Sequence, residues 1–191
     1  MSDFPELYIL RHGETAWNAQ NRMQGGLNSP LTDVGRGQAA RQAEIMGARD
    51  LTGFDVWCSP QGRAFETAAI ALARLVPFVR TDDRLREIGV GDWQGLVRDP
   101  SWMTQPVEDT PDGPIAYYEN APGGEGFAAL ETRCAGFLAS LERPAVLVTH
   151  GITSRMMRTI LLHRSRDTLG DLPGGQGNVF HLKDGVQTEL C

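Results

Sequence analysis

Residues 7–13 read Leu-Tyr-Ile-Leu-Arg-His-Gly: four apolar or aromatic side chains, then two basic ones and a glycine. A short apolar run bounded by polar and turn-forming residues reads as a buried strand. Two further runs share the pattern. Asp55 to Cys58 is followed by Ser59-Pro60 and Arg63, and Ala145 to Val148 is followed by Thr149-His150-Gly151. Helical stretches separate the runs. Thr32 or Asp33 can cap a helix through Ala48, and Ser59-Pro60 can open one through Leu75. Phe127 to Leu141 reads as a third helix and about Ile152 to His163 as a fourth. Strands alternating with helices predict an α/β fold, a three-layer sandwich with a largely parallel central sheet flanked by helices. Only the end departs from this alternation. There Asn178 to Leu182 and Val186 to Leu190 flank Lys183-Asp184-Gly185, which reads as a closing hairpin or edge pair.

The first residues beyond each of the three strands are polar and mostly basic: Arg11-His12-Gly13, Ser59 to Arg63, and His150-Gly151. Open α/β sheets bind ligands outside the carboxyl ends of their strands, so these groups should converge on one crevice. A pocket built from Arg11, His12, Arg63 and His150 gathers positive charge and hydrogen-bond donors in a chain whose formal net charge is -6. That combination suits a doubly charged phosphoryl group. Lys183 is the only lysine, so nearly all positive charge is carried by arginine, whose planar fork matches phosphate oxygens.

Length and composition narrow the function further. A chain of 191 residues suits a single domain spanning 1–191, and 41% hydrophobic with 22% charged residues is ordinary for a globular protein. The acidic balance and the lack of any basic block argue against a nucleic-acid partner. Met1 to Leu10 carries neither a basic segment nor a long apolar run, so no secretory signal and no membrane span is expected, and the location expected is cytoplasmic. Cys58, Cys134 and Cys191 are odd in number and far apart, which disfavours a disulfide framework and a zinc site; they read as buried apolar residues or a loose terminus. With no HExxH pair, no carboxylate cluster at ligand spacing and no cysteine beside His12 or His150, neither a metal nor a cofactor is expected. Gly123-Gly124-Glu125-Gly126 and Gly174-Gly175-Gln176-Gly177 lack the lysine and helix context of a phosphate loop and read as turns. The stretch 96–126 is rich in Pro, Gly and acids without periodicity, and reads as a long excursion that covers the substrate. Trp93, Trp102, Tyr117 and Tyr118 lie in or beside it, either as a substrate-facing wall or as plain packing onto the body.

Arg11-His12-Gly13-Glu14-Thr15, with Asn18 following, resembles the signature of the histidine phosphatase superfamily, in its phosphoglycerate mutase-like branch. The resemblance runs along most of the chain. Gln24-Gly25, Pro30-Leu31-Thr32, Gly35 and Gln38 resemble the next stretch. Ser59-Pro60, Arg63-Ala64 and Glu66-Thr67-Ala68 resemble the second basic motif, Glu87 with Gly91, Trp93 and Gly95 the acidic motif, and Thr149-His150-Gly151 with Arg155 the last. The resemblance implies a phosphoglycerate mutase-like fold and a metal-independent phosphatase that hydrolyses small phosphate monoesters through a phosphohistidine. In that reading His12 is the nucleophile, Arg11 and Arg63 clamp the phosphoryl oxygens, and His150 donates a further hydrogen bond. Glu87 supplies and recovers the leaving-group proton, its competing use being a surface pair with Arg84 or Arg86. Asn18 and the Gly151 backbone N–H help hold phosphate, and Arg155 supports the site from behind. Gln24 and Thr15 lie near the pocket, Thr15 being equally suited to cap a helix. His163 and His181 match no motif and read as an exposed helix end and a strand residue. Three positions depart from the family pattern and bear on substrate contacts and loop hydrogen bonds: Asn28 in place of Asp, Gln94 in place of Glu, and Gly126 in place of Ser.

Two other functions compete. A phosphoglycerate-type mutase must bind a second acidic group, yet in 96–126 the only basic residue is Arg98, against Asp99, Glu108, Asp109, Asp112, Glu119 and Glu125. A catalytically inactive binding module of the same fold has no reason to keep Arg11, His12, Arg63, Glu87 and His150 together. A small phosphorylated metabolite is therefore the expected partner, with a homodimer left open.

Overall fold

The computed structural model describes residues 4–102 and 115–191. Six strands form one sheet: β1 (Leu7–Arg11), β2 (Asp55–Cys58), β3 (Arg80–Thr81), β4 (Ala145–Thr149), β5 (Val179–Lys183) and β6 (Val186–Leu190). Their order is β3-β2-β4-β1-β5-β6. β3, β2, β4 and β1 are parallel neighbours, while β5 joins β1 antiparallel and β6 closes the hairpin with β5. Among the described residues six α-helices accompany them: α1 (Ala16–Ala19), α2 (Asp33–Gly47), α3 (Gly62–Leu72), α4 (Ala116–Glu119), α5 (Gly126–Leu138) and α6 (Gly151–Leu161).

Alternation along the central strands divides the core in two. Leu7 and Ile9 with Ala145 and Leu147 pack on one face with Leu130, Cys134 and Phe137 of α5 and Ile152 and Met156 of α6. Tyr8 and Leu10 with Val146 and Val148 pack on the other with Met46 of α2 and Ala64, Ala68 and Leu72 of α3. Successive side chains of a strand point to opposite faces, so an unbroken apolar run needs a cover on both, which is the three-layer arrangement. Leu7, Ile9 and Leu10 are wholly buried, each contributing on the order of 1.5–3 kcal/mol.

The helices differ from expectation mainly at their ends. α3 starts at Gly62 because Ser59 still follows the sheet, its N–H donating to Val148 O at 2.9 Å, and Gln61 keeps extended backbone (φ -69, ψ 132). α5 stops at Leu138 and α6 at Leu161, beyond which exposed His163 turns left-handed (φ 52). Three short elements, α1, β3 and α4, have no counterpart in the sequence reading, since two to four residues carry no periodicity.

Part of the excursion is built into the body. Arg22 and Val97 form an isolated bridge, and α4 carries the buried Tyr117 and Tyr118. Trp93 and Trp102 stack with centroids 4.7 Å apart, and Tyr117 sits edge-on to both. Those three rings pack on one another, and Tyr118 alone of the four faces the site described below. Glu108, Asp109 and Asp112 lie outside the described residues. Cys58 and Cys134 are buried free thiols pushed up to about 12 by burial, and Cys191 is exposed. Among the described residues no helix is long and apolar enough to cross a membrane.

Candidate active site

Parallel register brings three strand ends to one edge. Arg11 lies opposite Thr149 and Cys58 opposite Val148, so His12, Ser59 and His150 leave the sheet side by side. His12 stays tied to it by its N–H, which donates to Thr149 O at 3.0 Å. The loop then crosses the first turn of α2 so closely that a Cβ on Gly13 would stand 2.2 Å from Gly35 O, and one on Gly35 2.0 Å from Glu14 O. Only glycine at both positions permits that approach.

The His12 ring is buried and its tautomer follows from its partners. Nδ1 lies 2.7 Å from Gly13 O, and a carbonyl only accepts, so Nδ1 carries the proton. Nε2 accepts from Arg63 Nε at 3.3 Å, which leaves a lone pair at that nitrogen. Burial and the Arg63 and Arg11 charges hold the imidazole well below its ordinary pKa, which keeps it neutral. Arg63, in the first turn of α3, is 1% exposed. Its Nη1 donates to Leu27 O at 2.7 Å and its Nη2 to Gly25 O at 3.0 Å, fixing the plane of the fork. Burial pushes its pKa down to about 10, so it remains charged at neutral pH.

His150 is also wholly buried, its ring edge-on to His12 with centroids 5.1 Å apart. Its Nε2 lies 2.8 Å from Ser59 Oγ, while Nδ1 has no hydrogen-bond partner among the described residues. Burial, then the Arg63 and Arg11 charges, depress its pKa well below the ordinary value. The Arg11 guanidinium packs over the Cα of Gly151, where a Cβ would come within 3.2 Å of it.

Glu87 takes neither of the surface pairings open to it in the sequence, because Arg84 pairs with Asp82 and Arg86 with Asp83. Its carboxylate sits instead at the start of α6. Oε2 accepts from Ile152 N at 3.2 Å, and Oε1 from Thr153 N at 3.1 Å and Thr153 Oγ1 at 3.0 Å. Arg133 of α5 braces the same segment, donating to the carbonyls of Arg84 and Arg86 while gripping both oxygens of Glu125 at 2.8 Å.

Arg11, His12, Asn18, Arg22, Gln24, Gly25, Arg63, Glu87, Arg98 and Tyr118 line one small cavity of about 20 Å³. The profile of the histidine phosphatase superfamily (branch 1) matches residues 7–185, nearly the whole chain. The chain belongs to that superfamily. The glucosyl-3-phosphoglycerate phosphatase of Mycobacterium tuberculosis is 36% identical over 162 residues, 76% of this chain and 70% of the relative. A probable phosphoglycerate mutase, GpmB, of Salmonella paratyphi C is 38% identical over 158 residues, 77% and 70% of the two chains. Among solved structures, mycobacterial glucosyl-3-phosphoglycerate phosphatase complexed with VO3 superposes with a TM-score of 0.75 at 34% identity, covering 94% of this chain and 92% of that one.

In this histidine phosphatase the sequence-predicted residues divide by depth. Arg11, His12, Asn18, Gln24, Arg63 and Glu87 face the cavity, whereas His150 and Gly151 stand behind the His12 and Arg11 side chains. Thr15 does not line the cavity: its hydroxyl accepts from Asn18 N at 3.1 Å as the cap of α1, with Asn18 closing the capping box. Arg155 lies buried with Nε donating to Leu172 O. His181 pairs with Glu6 on the strand surface, away from the site.

Arg22 and Arg98 are lining residues that the sequence reading does not single out, while Tyr118 takes the substrate-facing one of the two uses open to it. Arg98 corrects the charge argument against a second acidic group, since the one basic residue of the excursion turns into the cavity. It does so because its backbone N–H bonds Asn21 O and its guanidinium reaches Tyr118 Oη at 2.6 Å. Gln61 was also missed; its amide spans the site, donating to Gly25 O and accepting from Glu87 N, both at 2.8 Å. Position in the Ser59 to Arg63 motif was the available signal. The three family departures all have local roles. Asn28 Oδ1 accepts from Arg63 N, Gln94 Oε1 accepts from Gly26 N, and Gly126 adopts φ 69, which a serine would occupy only with strain.

Proposed function

We propose that the protein is a metal-independent phosphatase that hydrolyses small phosphate monoesters through a phosphohistidine on His12, working as one domain. The observation that carries this reading is a neutral, buried imidazole whose Nε2 lone pair meets Arg63 in a cavity also lined by Arg11 and Glu87. Nε2 attacks phosphorus in line as the ester P–O bond breaks, and its electron pair leaves on the alkoxide oxygen, which takes a proton from Glu87. Water then attacks the phosphohistidine, gives a proton back to Glu87, and frees His12 and inorganic phosphate. Arg11 and Arg63 oppose the charge spread over the phosphoryl oxygens, and His150 adds a donor from behind. The Arg63 Nε–H that now bonds Nε2 becomes available to an arriving oxygen. The names of the phosphatase relatives support a small phosphorylated metabolite as substrate.

The test is release of phosphate from an aryl phosphate in EDTA, beside a His12→Ala control. The control should lose activity by about 10³ or more, because among the described residues no other imidazole lines the cavity. A His12→Ala enzyme as active as wild type overturns the mechanism. A second reading, phosphoryl transfer of the mutase type, is favoured by Arg22 and Arg98, which give the lining four arginines against Glu87. Incubation with a phosphoglycerate separates the two: a phosphatase releases inorganic phosphate, and a mutase yields the positional isomer.

A further inference from the structure

We propose that Gln38, on α2 and outside the cavity, is a positioning residue that acts on His12 through a single peptide group. The inference rests on the reading of His12 as the nucleophile. The side-chain Oε1 of Gln38 accepts from Glu14 N at 2.7 Å, and the other end of that peptide group is the Gly13 carbonyl, which accepts from His12 Nδ1, also at 2.7 Å. The chain has no cis peptide bond among its described residues, so N–H and C=O of this unit point in opposite directions. Amide, peptide and imidazole therefore stand in one line: Gln38 C=O to Glu14 H–N, Gly13 C=O to His12 H–Nδ1. Each bond in such a chain polarises the next. The result is a stronger acceptor at Gly13 O, a proton held on Nδ1, and the lone pair left on Nε2.

Neighbouring contacts hold the backbone that leads into this peptide group. Thr67 Oγ1 accepts from Gly13 N at 3.0 Å, Gln42 Nε2 donates to Arg11 O at 3.0 Å, and Gln176 Nε2 donates to His12 O at 3.0 Å. Gln38 is itself steadied by Gly177, where a Cβ would lie 3.3 Å from its Cβ and Cγ. The nucleophile is thus oriented by a neutral amide acting at one remove, where a directly bonded carboxylate would instead pull the imidazole toward the charged form.

Three measurements test this. In ¹⁵N-histidine NMR of the wild-type protein, neutral His12 should show a protonated Nδ1 and an unprotonated Nε2; the opposite tautomer overturns the proposal whatever the variants do. Gln38→Leu, which removes the acceptor, should mix the two tautomers of His12 and lower kcat about tenfold, the scale of one hydrogen bond, with KM nearly unchanged. Gln38→Glu, which keeps an acceptor oxygen, should restore the single tautomer and most of kcat. A folded Gln38→Leu enzyme with wild-type kcat and an undisturbed His12 spectrum overturns the proposal, as does a Gln38→Glu enzyme that behaves like Gln38→Leu. Activity in wild type and its loss in His12→Ala establish the nucleophile separately, so failure of the Gln38 arm alone leaves the phosphatase reading standing.

Discussion

His12 and His150 are two imidazoles kept neutral by burial within a cluster of arginines. In the unfolded chain both titrate near 6.5, and in the folded chain well below it. Between those limits the unfolded state binds more protons, so stability is highest above 6.5 and is lost as pH falls toward the folded values. Denaturant unfolding at a series of pH values between about 7 and 5 should show this slope. His150→Asn should flatten it, and an identical slope in the variant would remove the histidine from the account. Activity follows the same sign. The acid limb of kcat/KM should lie below 6.5, because the nucleophile needs no deprotonation at that pH. The identity of these residues was legible in the sequence; their neutrality was not, since it depends on the absence of water and on the Arg63 and Arg11 charges, both products of folding.

α3 shows how an element is completed by a distant residue. It has no side-chain cap of its own at Gln61, and Asn28, from the segment before α2, supplies one by accepting from Arg63 N at 2.9 Å. Gly62 makes room for it, as a Cβ there would stand 2.6 Å from Asn28 Nδ2. Asn28→Ala should therefore cost about 1 kcal/mol, the usual worth of an N-cap. It should lower the urea midpoint without changing the slope. It should also lower kcat, because the lost acceptor holds the backbone N–H of Arg63, the residue that meets His12; full activity in the variant would show that Arg63 is held without it. Helix interiors were readable from apolar spacing and strand cores from unbroken apolar runs. The start of α3 was misread because Ser59-Pro60 is a good helix-opening pair locally, while pairing of Ser59 with Val148 O keeps the chain on the sheet for longer.

For the molecule as a whole, folding collects four arginines around one small cavity in a protein of net charge -6. Such a site should bind tetrahedral oxyanions and gain stability from them by mass action. Vanadate at 100 times its dissociation constant should add about 2.7 kcal/mol and raise Tm. Arg63→Ala should abolish the rise while leaving a folded protein, and an equal rise in that variant would put the anion elsewhere. The sequence by itself determined the alternation of strands and helices, the closing hairpin, the strand-end placement of Arg11, His12, Arg63 and His150, and the family, because each is written in local pattern. Tertiary structure alone decided that Arg98 and Tyr118 enter the cavity, that Glu87 rests on the start of α6, that Thr15 caps α1, and that Gln38 reaches His12 through a peptide. These depend on contacts between residues far apart in the chain, whose geometry exists only once two cores have packed on the two faces of one sheet.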